Sequence, residues 1–421
     1  PAVPAALPVI EIPEFHFHKV APLFSNLPEA KQTVDIQPME QFNQGWGTIL
    51  YRTTLPETTL AGTTLKITEV HDWAQIYADG KLLARLDRRK GEFTTTLPAL
   101  KKGIQLDILV EAMGRVNFDK SIHDRKGITE KVELISGNQT KELKNWTVYN
   151  FPVDYSFIKD KKYSDTKILP TMPAYYKSTF TLDKVGDTFL DMSTWGKGMV
   201  WVNGHAMGRF WEIGPQQTLF MPGCWLKEGE NEILVLDLKG PTRASIKGLK
   251  KPILDVLREK APETHRKDGE KLKLTGEKVG HEGAFTPGNG WQEVRFATPV
   301  KGRYFCLEAL SPQANDNIAA IAEFDVLGAD GKPVSREHWK IRYADSEETR
   351  SGNRTADKIF DLQESTFWMT VDNVPYPHQL VIDLSKVENV TGFRYLPRAE
   401  KGYPGMIKEY RVYVKPADFN Y

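Results

Sequence analysis

The chain has 421 residues, enough for about three domains with buried cores. Its 56 basic and 55 acidic residues nearly cancel, so no net charge attracts nucleic acid or an anionic membrane surface. No apolar run approaches the roughly 20 residues that a membrane span needs. Aromatic residues make up 11% of the chain and long amphipathic helical patterns are scarce, which indicates short strands and turns.

The first part of the chain predicts a linker followed by a β-domain. The proline-rich start, PAVPAALPVIEIPEF, is typical of an interdomain linker, and we assign residues 1–36 to this linker and a lead-in strand. Residues 37–158 contain TLKITEV, AQIYADG and QLDILVEA. Such short apolar runs predict the strands of a β-sandwich.

A second β-domain is predicted over residues 159–240, because the chain uses one turn twice. Asn203-Gly204 lies within GMVWVNGHAMGRFW, and Asp79-Gly80 lies in the same way within AQIYADGKLLARLD. Both dipeptides predict two-residue hairpin turns with positive φ angles. The segments that follow, TTTLPALKKGIQLDILVEAMG and TLFMPGCWLKEGENEILVLDLKG, are also alike. We infer two tandem copies of one β-rich unit.

The last part of the chain predicts a linker and a third sandwich. Residues 241–290 are mostly charged and weakly periodic, although PILDVL at 252–257 is expected to pack back on an earlier sheet. From 291 to 421, the runs RYFCLEAL, IAEFDVLG, HQLVIDL, TGFRYLPR and EYRVYV predict strands. We therefore predict an all-β chain.

The tryptophans and cysteines are predicted to be structural. Trp201 lies between two valines and matches Tyr77 of the first copy, so core or interdomain packing is favoured over a sugar-stacking platform. Three tryptophans of the third sandwich are likewise predicted as core anchors: Trp291, Trp339 and Trp368. Cys224 and Cys306 fall in different predicted domains, so we expect free thiols instead of a disulfide framework.

The chain lacks the common catalytic motifs. It has no nucleotide-binding loop, no zinc-cysteine set, no Gly-x-Ser-x-Gly elbow and no His-Glu-x-x-His pair. Glycoside hydrolysis needs two carboxylates across a defined cleft, and the sequence singles out no such pair.

Residues 8 to about 257 resemble the part of family 35 glycoside hydrolases, the retaining β-galactosidases, that follows their catalytic barrel. The resemblance is carried by LPVIEIPEF, GWGTILYRTTL, WAQIYADGKLLARLDRR, GRVNFDKSIHDRKGITEKVEL and WVNGHAMGRFWEIGPQQTLFMPGCWLKEGENEILVLDL. It implies that both β-rich units are galactose-binding-like jelly rolls, which brace a (β/α)8 barrel of the same polypeptide. The family's two glutamate motifs, Asn-Glu-Tyr-Gly and Glu-Phe/Tyr-Trp, do not occur in the sequence. The resemblance therefore implies a non-catalytic part of such an enzyme, inactive alone.

The same resemblance implies a role for one loop. In the family, a loop usually written Gly-Arg-Val-Asn-Tyr-Gly reaches towards the barrel mouth. Arg115, Asn117 and Phe118 match it, whereas Phe118 lacks the tyrosine hydroxyl and Asp119 replaces a glycine. We expect this loop to form an interface with the barrel, in preference to direct substrate contact.

The third sandwich resembles a discoidin, or factor 5/8 type C, module. The resemblance is carried by YADSEET, STFWMT, PHQLVIDLSKVENVTGFRYLPR and IKEYRVYV. RYFCLEAL and IAEFDVLG resemble segments that close the common module but open this one, which indicates a circular permutation. Many relatives bind galactose-type sugars at loop ends, so His378, Arg394 and Tyr395 are candidate sugar-rim residues.

Many discoidin relatives also hold a structural calcium ion. Asp361, Gln363, Thr366 and Glu323 occupy the corresponding positions. Gln363 replaces an aspartate, which weakens the site because Ca²⁺ favours several carboxylate or carbonyl oxygens. The resemblance thus implies no required cofactor and one candidate calcium site.

Two functions follow as hypotheses. The first is a C-terminal, non-catalytic part of a β-galactosidase that braces the barrel and binds galactose-containing oligo- or polysaccharides. The alternative is a free-standing carbohydrate-binding or adhesion protein with no enzyme attached. Neither involves nucleic acid or a membrane.

Overall fold

The computed structural model describes residues 7–118, 122–398, 402 and 404–421. Strands dominate the fold, as predicted, and the described residues contain one short α-helix, α1 (Tyr155–Ile158). Within those ranges, no helix is long and apolar enough to cross a membrane. Short 3-10 turns include Leu23–Ser25, Met39–Phe42, Arg88–Lys90, Gly223–Trp225 and Ala356–Phe360.

The strands follow one another with short connections. Up to residue 151 they are β1 (Ile12–His16), β2 (Lys19–Pro22), β3 (Ala30–Thr33), β4 (Gly47–Thr54), β5 (Thr64–His71), β6 (Trp73–Ala78), β7 (Lys81–Asp87), β8 (Thr94–Thr96), β9 (Gln105–Ala112), β10 (Gly127–Ser136), β11 (Gln139–Glu142) and β12 (Trp146–Phe151). Those that follow are β13 (Ser164–Asp165), β14 (Ala174–Leu182), β15 (Thr188–Asp191), β16 (Lys197–Val202), β17 (His205–Trp211), β18 (Thr218–Met221), β19 (Gly229–Asp237), β20 (Ser245–Leu249), β21 (His281–Ala284), β22 (Gln292–Ala309), β23 (Ala320–Ile321), β24 (Glu323–Leu327), β25 (Lys340–Ala344), β26 (Trp368–Met369), β27 (His378–Leu396) and β28 (Glu409–Lys415).

The described chain divides into two compact units. One contains residues 7–30 and 149–260, and the other contains residues 31–148 and 261–421. Segments distant in sequence therefore share a unit.

The first unit has two sheets, with strand orders β1-β20-β15-β18 and β13-β2-β14-β19-β16-β17. Its core surrounds Trp195, whose ring lies 5.0 Å from Phe17 and 5.1 Å from Tyr176, in both cases edge to face. Asn203 and Gly204 have φ angles of 49° and 85° in the turn between β16 and β17, which confirms the predicted hairpin. Trp201 is buried, as predicted.

The predicted lead-in segment and the segment predicted as the second linker both contribute strands to this unit. Strand β1 lies within residues 1–36 and pairs with β20, which lies within residues 241–290. Strand β1 is at a sheet edge and has a single buried side chain, Ile12, so its apolar pattern does not predict which strand it pairs with. Residues 252–257 return to this unit without forming a regular strand, through hydrogen bonds such as Gln217 N to Ile253 O, 2.9 Å.

The second unit begins with the sandwich predicted from the first repeat. Its sheets have the strand orders β11-β10-β5-β8 and β3-β12-β4-β9-β6-β7. Asp79 and Gly80 have φ angles of 43° and 78° and connect β6 to β7, so this hairpin prediction is also confirmed. Apolar side chains such as Leu65, Ile76 and Ile108 fill the space between the sheets.

The third sandwich completes the second unit. Its main sheet has the order β21-β28-β22-β27-β24, with β25 also paired to β27. The long strand β22 pairs with both β27 and β28, so segments from the two ends of the domain are neighbours in one sheet. Trp339 and Trp368 are buried as predicted, but Trp291 is 37% exposed, so its assignment to the core was wrong. Both cysteines are free thiols.

Candidate functional site

The predicted interface loop connects β9 to β10. It lies at one end of the sandwich predicted from the first repeat, which is part of the second unit and is called the first sandwich below. The Arg115 guanidinium donates hydrogen bonds to Asp124 O at 2.7 Å and Gly45 O at 2.6 Å. Phe118, in contrast, is 81% exposed and Asn117 is also exposed. Arg115 thus fixes the base of the loop, while the following side chains point away from the sandwich core. Asp119, the last predicted member, lies outside the described residues.

A buried ion cluster lies beneath this loop: Asp72, Arg88, Asp124 and Lys126. Lys126 Nζ is fully buried and donates to Asp72 Oδ2 at 2.7 Å and Asp124 Oδ2 at 2.8 Å. Arg88 Nη1 contacts the other oxygens of the same two carboxylates, at 2.8 and 2.7 Å. Buried charges are stable only when they are paired and hydrogen-bonded, and here both conditions are met.

The cluster also holds the loop backbone. Asp72 Oδ2 accepts from Met113 N at 2.6 Å, and Asp124 Oδ2 accepts from Val116 N at 3.0 Å. Burial acts to raise the pKa of Asp124, but donors from Lys126, Val116 and Arg88 outweigh it and lower the pKa to about 2. The residue pattern did not predict this cluster. The available signal was the run His-Asp-Arg-Lys before β10, where charges of both signs are adjacent next to a strand.

The structure brings the four predicted calcium ligands together. Asp361 Oδ1 and Glu323 Oε1 both accept from the Gln363 backbone N–H, at 3.0 and 2.7 Å. Asp361 Oδ2 accepts from the Thr366 hydroxyl at 2.7 Å. Burial raises the pKa of both carboxyl groups. The four residues therefore lie together, but protein donors already contact the carboxylate oxygens.

Cationic side chains occupy the remaining positions around these carboxylates. The Arg336 guanidinium is mostly buried and pairs with Glu323 and, at 2.7 Å, with Asp325. Lys358 Nζ lies 3.9 Å from Asp361 Oδ2. Among the described residues, the one buried ligand oxygen of this loop without a hydrogen-bond partner is Gln363 Oε1. As arranged, these residues do not fit a calcium ion, which would have to displace Arg336 from Glu323.

Two of the three predicted sugar-rim residues are buried, which corrects their assignment. His378 donates from Nδ1 to Asp345 Oδ2 at 2.8 Å and from Nε2 to Asn317 O at 2.7 Å. Burial acts to lower the pKa of His378, but these two acceptors outweigh it and raise the pKa. Tyr395 stacks on Phe285 with ring centroids 4.1 Å apart. Both rings face the core because of the register of β27, which the residue pattern alone does not define.

Arg394, the third predicted rim residue, remains partly exposed. Its Nε donates to Asp325 Oδ2 at 2.9 Å, and its guanidinium lies 4.7 Å from the centre of the Trp291 ring. Sequence reasoning missed Asp325 and placed Trp291 in the core. Glu323 and Asp325 alternate along β24 and therefore share one face, which was the available signal.

Three family models match the chain. Residues 37–152 match the first all-beta domain of beta-galactosidase, and residues 173–231 match the beta-galactosidase galactose-binding domain. Residues 343–421 match the F5/8 type C domain.

Curated relatives agree with these matches. The chain is 34% identical over 205 residues to human beta-galactosidase-1-like protein 2, covering 47% of this chain and 30% of the relative. It is 33% identical over 222 residues to a beta-galactosidase of Xanthomonas manihotis, covering 52% and 36%. It is 35% identical over 255 residues to a beta-galactosidase of Bos taurus, covering 53% and 37%. The chain thus spans about a third of the length of these relatives.

Comparison with solved structures does not extend these sequence matches. The apo form of a Pleurotus ostreatus lectin matches with 10% identity and a TM-score of 0.18, covering 58% of this chain and 82% of the lectin chain. That score is too low to relate the folds. The sequence matches thus show that residues 37–152 and 173–231 are similar to the first all-beta and galactose-binding domains of beta-galactosidases, and that residues 343–421 are similar to an F5/8 type C domain.

Proposed function

We propose that this chain is the non-catalytic, C-terminal part of a retaining β-galactosidase, and that it binds galactose-containing glycans. The observation that carries the proposal is the pair of beta-galactosidase domain matches followed by an F5/8 type C domain. The chain also contains neither of the two glutamate motifs of the resembling family. Because hydrolysis needs both carboxylates in one cleft, the chemistry belongs to another part of the parent enzyme.

The direct test is an assay of the purified chain with a chromogenic β-galactoside. We expect no hydrolysis above the buffer rate. A measurable rate that is lost when carboxylates of this chain are changed to amides would contradict the proposal. The matched control is a family member that contains both glutamate motifs, assayed in the same buffer.

We also propose that the loop with Arg115, Asn117 and Phe118 contacts the catalytic barrel of the parent enzyme. Two observations support this. An 81% exposed phenylalanine would be stabilised by burial against a partner, and the buried ion cluster accepts hydrogen bonds from the loop backbone that precedes it, at Met113 and Val116.

Phe118→Ala tests the interface. In this chain alone, the change is expected to alter the free energy of unfolding by less than about 0.5 kcal/mol, since the ring is exposed. In a polypeptide that also contains the barrel, it should lower the melting temperature, because a buried contact is lost. Leu60→Ala is the control, since Leu60 is 70% exposed on the same sandwich. Equal effects of the two changes in the longer polypeptide would exclude the interface.

The third proposal concerns the candidate calcium site formed by Glu323, Asp361, Gln363 and Thr366. We propose that Arg336 and Lys358 supply the positive charge there that a calcium ion supplies in many discoidin relatives. The support is their ion pairs with Glu323 and Asp361. Melting curves in EDTA and in millimolar CaCl₂ should then coincide. A melting temperature that rises with calcium and falls with EDTA would show instead that a metal ion binds there, by the stabilisation that any ligand of the folded state provides.

A further inference from the structure

The second unit contains a cleft of about 470 Å³. One wall is formed by the edge strand Thr94–Thr96 and by Asn138 of the first sandwich. The other wall belongs to the third sandwich and includes Glu337, Trp339 and Asp357. This volume lies within the roughly 300–1,000 Å³ that is usual for small-molecule sites.

The two walls are joined by direct hydrogen bonds. Asn353 Nδ2 donates to Lys90 O at 3.0 Å, and Lys358 Nζ donates to Gly91 O at 3.4 Å. Both donors come from the third sandwich, and both acceptors come from the turn that precedes β8. The cleft is therefore formed by the fold before any ligand enters, which reduces the entropy lost on binding.

One wall holds a buried donor that lacks an acceptor. Trp339 is 6% exposed and lines the cleft, and its Nε1 has no hydrogen-bond partner among the described residues. Its ring packs edge to face on Phe360, with centroids 5.9 Å apart. Buried indole N–H groups nearly always have an acceptor, because an unsatisfied donor is costly. A ligand oxygen in the cleft would satisfy this one.

The charges of the cleft favour a neutral ligand. The two guanidinium groups, of Arg336 and Arg394, are both bound to Asp325. Both guanidinium groups are therefore paired, and burial raises the pKa of the lining Asp361 carboxyl group, so the other lining carboxylates are Glu337 and Asp357. These two carboxylates disfavour an anionic ligand. Threonine hydroxyls and an asparagine amide add neutral donors and acceptors opposite the carboxylates.

We infer that this cleft binds a neutral saccharide. Trp339 Nε1 donates to a sugar oxygen, while the carboxylates of Glu337 and Asp357 accept from sugar hydroxyls. The threonines of β8 face the other side of the sugar. This inference rests on the proposed glycan binding, to which it adds a location and a preference for uncharged glycans.

The test follows the ten tryptophan side chains in a ¹⁵N-labelled full chain during titration with β-linked galactobiose. The indole signal of Trp339 is assigned with Trp339→Phe. It should shift on binding, and Trp339→Phe should weaken the affinity by roughly threefold to tenfold, the value of one hydrogen bond. Asn138→Trp, which places a large ring at the opposite wall, should abolish binding without depending on Trp339. Trp46→Phe is the control, because Trp46 does not line the cleft.

The outcomes separate the two levels of the proposal. If galactobiose binds while the Trp339 signal stays in place and both cleft variants retain affinity, the cleft assignment is wrong but glycan binding stands. Binding of a galacturonic acid disaccharide, and not of galactobiose, would overturn the neutral preference. If no saccharide shifts any backbone amide or indole signal of the labelled chain, the glycan-binding function and the cleft assignment are both wrong.

Discussion

Arg336 shows how much one buried side chain contributes to the third sandwich. Its guanidinium pairs with Glu323 and Asp325, two residues of one strand whose side chains are on the same face. Burial acts to lower the pKa of Arg336, but the two carboxylates outweigh it and raise the pKa. Without this guanidinium, the buried Glu323 carboxylate would lose its cationic partner, whereas Asp325 would keep Arg394.

Arg336→Met is therefore expected to destabilise the chain by about 3–5 kcal/mol, the usual cost of leaving buried charges unpaired. Urea unfolding monitored by tryptophan fluorescence measures the change. Arg295→Met removes a half-exposed partner of Glu293 and should cost less than about 1 kcal/mol. Similar losses for the two variants would mean that the buried pair contributes no more than a surface pair.

Asp124 makes the stability of the second unit depend on pH. Its pKa is about 2 in the folded chain, against an ordinary value of 3.8. A lowered pKa stabilises the fold fully above the ordinary value, and this contribution is lost as the pH falls from about 4 towards 2. The shift corresponds to about 2 kcal/mol.

Asp124→Asn removes this titration. Between pH 5 and 2, the free energy of unfolding should fall by about 2 kcal/mol more in the original chain than in the variant. The measurement is urea unfolding at several pH values. Parallel pH profiles would show that the ion cluster does not depend on this carboxylate. Because Asn lacks the charge that Lys126 faces, the variant is also expected to be less stable at pH 7.

Among the elements, the two hairpins have the most local origin. Gly80 and Gly204 have φ angles of 78° and 85°, a region that side chains with a Cβ rarely adopt. The surroundings leave space for an added methyl group at both sites. Nothing lies within 4 Å of a Cβ at Gly80, and Tyr155 lies at an ordinary contact distance of 3.4 Å from a Cβ at Gly204. The turns therefore need glycine for its backbone conformation.

Gly80→Ala and Gly204→Ala are each expected to cost about 1 kcal/mol, because the two sites have the same backbone conformation and comparable space. Gly290→Ala is the control, since that site has no unusual φ and open surroundings. Urea unfolding of the three variants is the measurement. A large difference between the two hairpin variants in the loss of unfolding free energy would contradict the structural equivalence of the two repeats.

At the scale of the whole molecule, the second unit joins the first sandwich to the third, although residues 149–260 separate them in sequence. The hydrogen bonds from Asn353 and Lys358 to the turn before β8 are part of this contact. Arg336→Met should therefore increase amide hydrogen exchange in β8 as well as in β24. Unchanged protection of β8 would mean that the two sandwiches open independently.

The sequence by itself determined the features that arise from neighbouring residues. These are the all-β class, both Gly-containing hairpins, the burial of Trp201 and the convergence of Asp361, Gln363 and Thr366, which lie within six positions of one another. Backbone sterics and alternating side-chain faces act over a few residues, so a local pattern is enough to predict them.

Only the tertiary structure decided the features that depend on distant segments. Residue pattern did not predict that β1 pairs with β20, that His378 and Tyr395 face the core, or that Trp291 is exposed. It also did not predict Lys126 between two carboxylates, or the cleft whose walls are more than 180 residues apart. Strand pairing, side-chain burial and electrostatic partners are properties of the packed chain, because each is determined by which surfaces exclude water together.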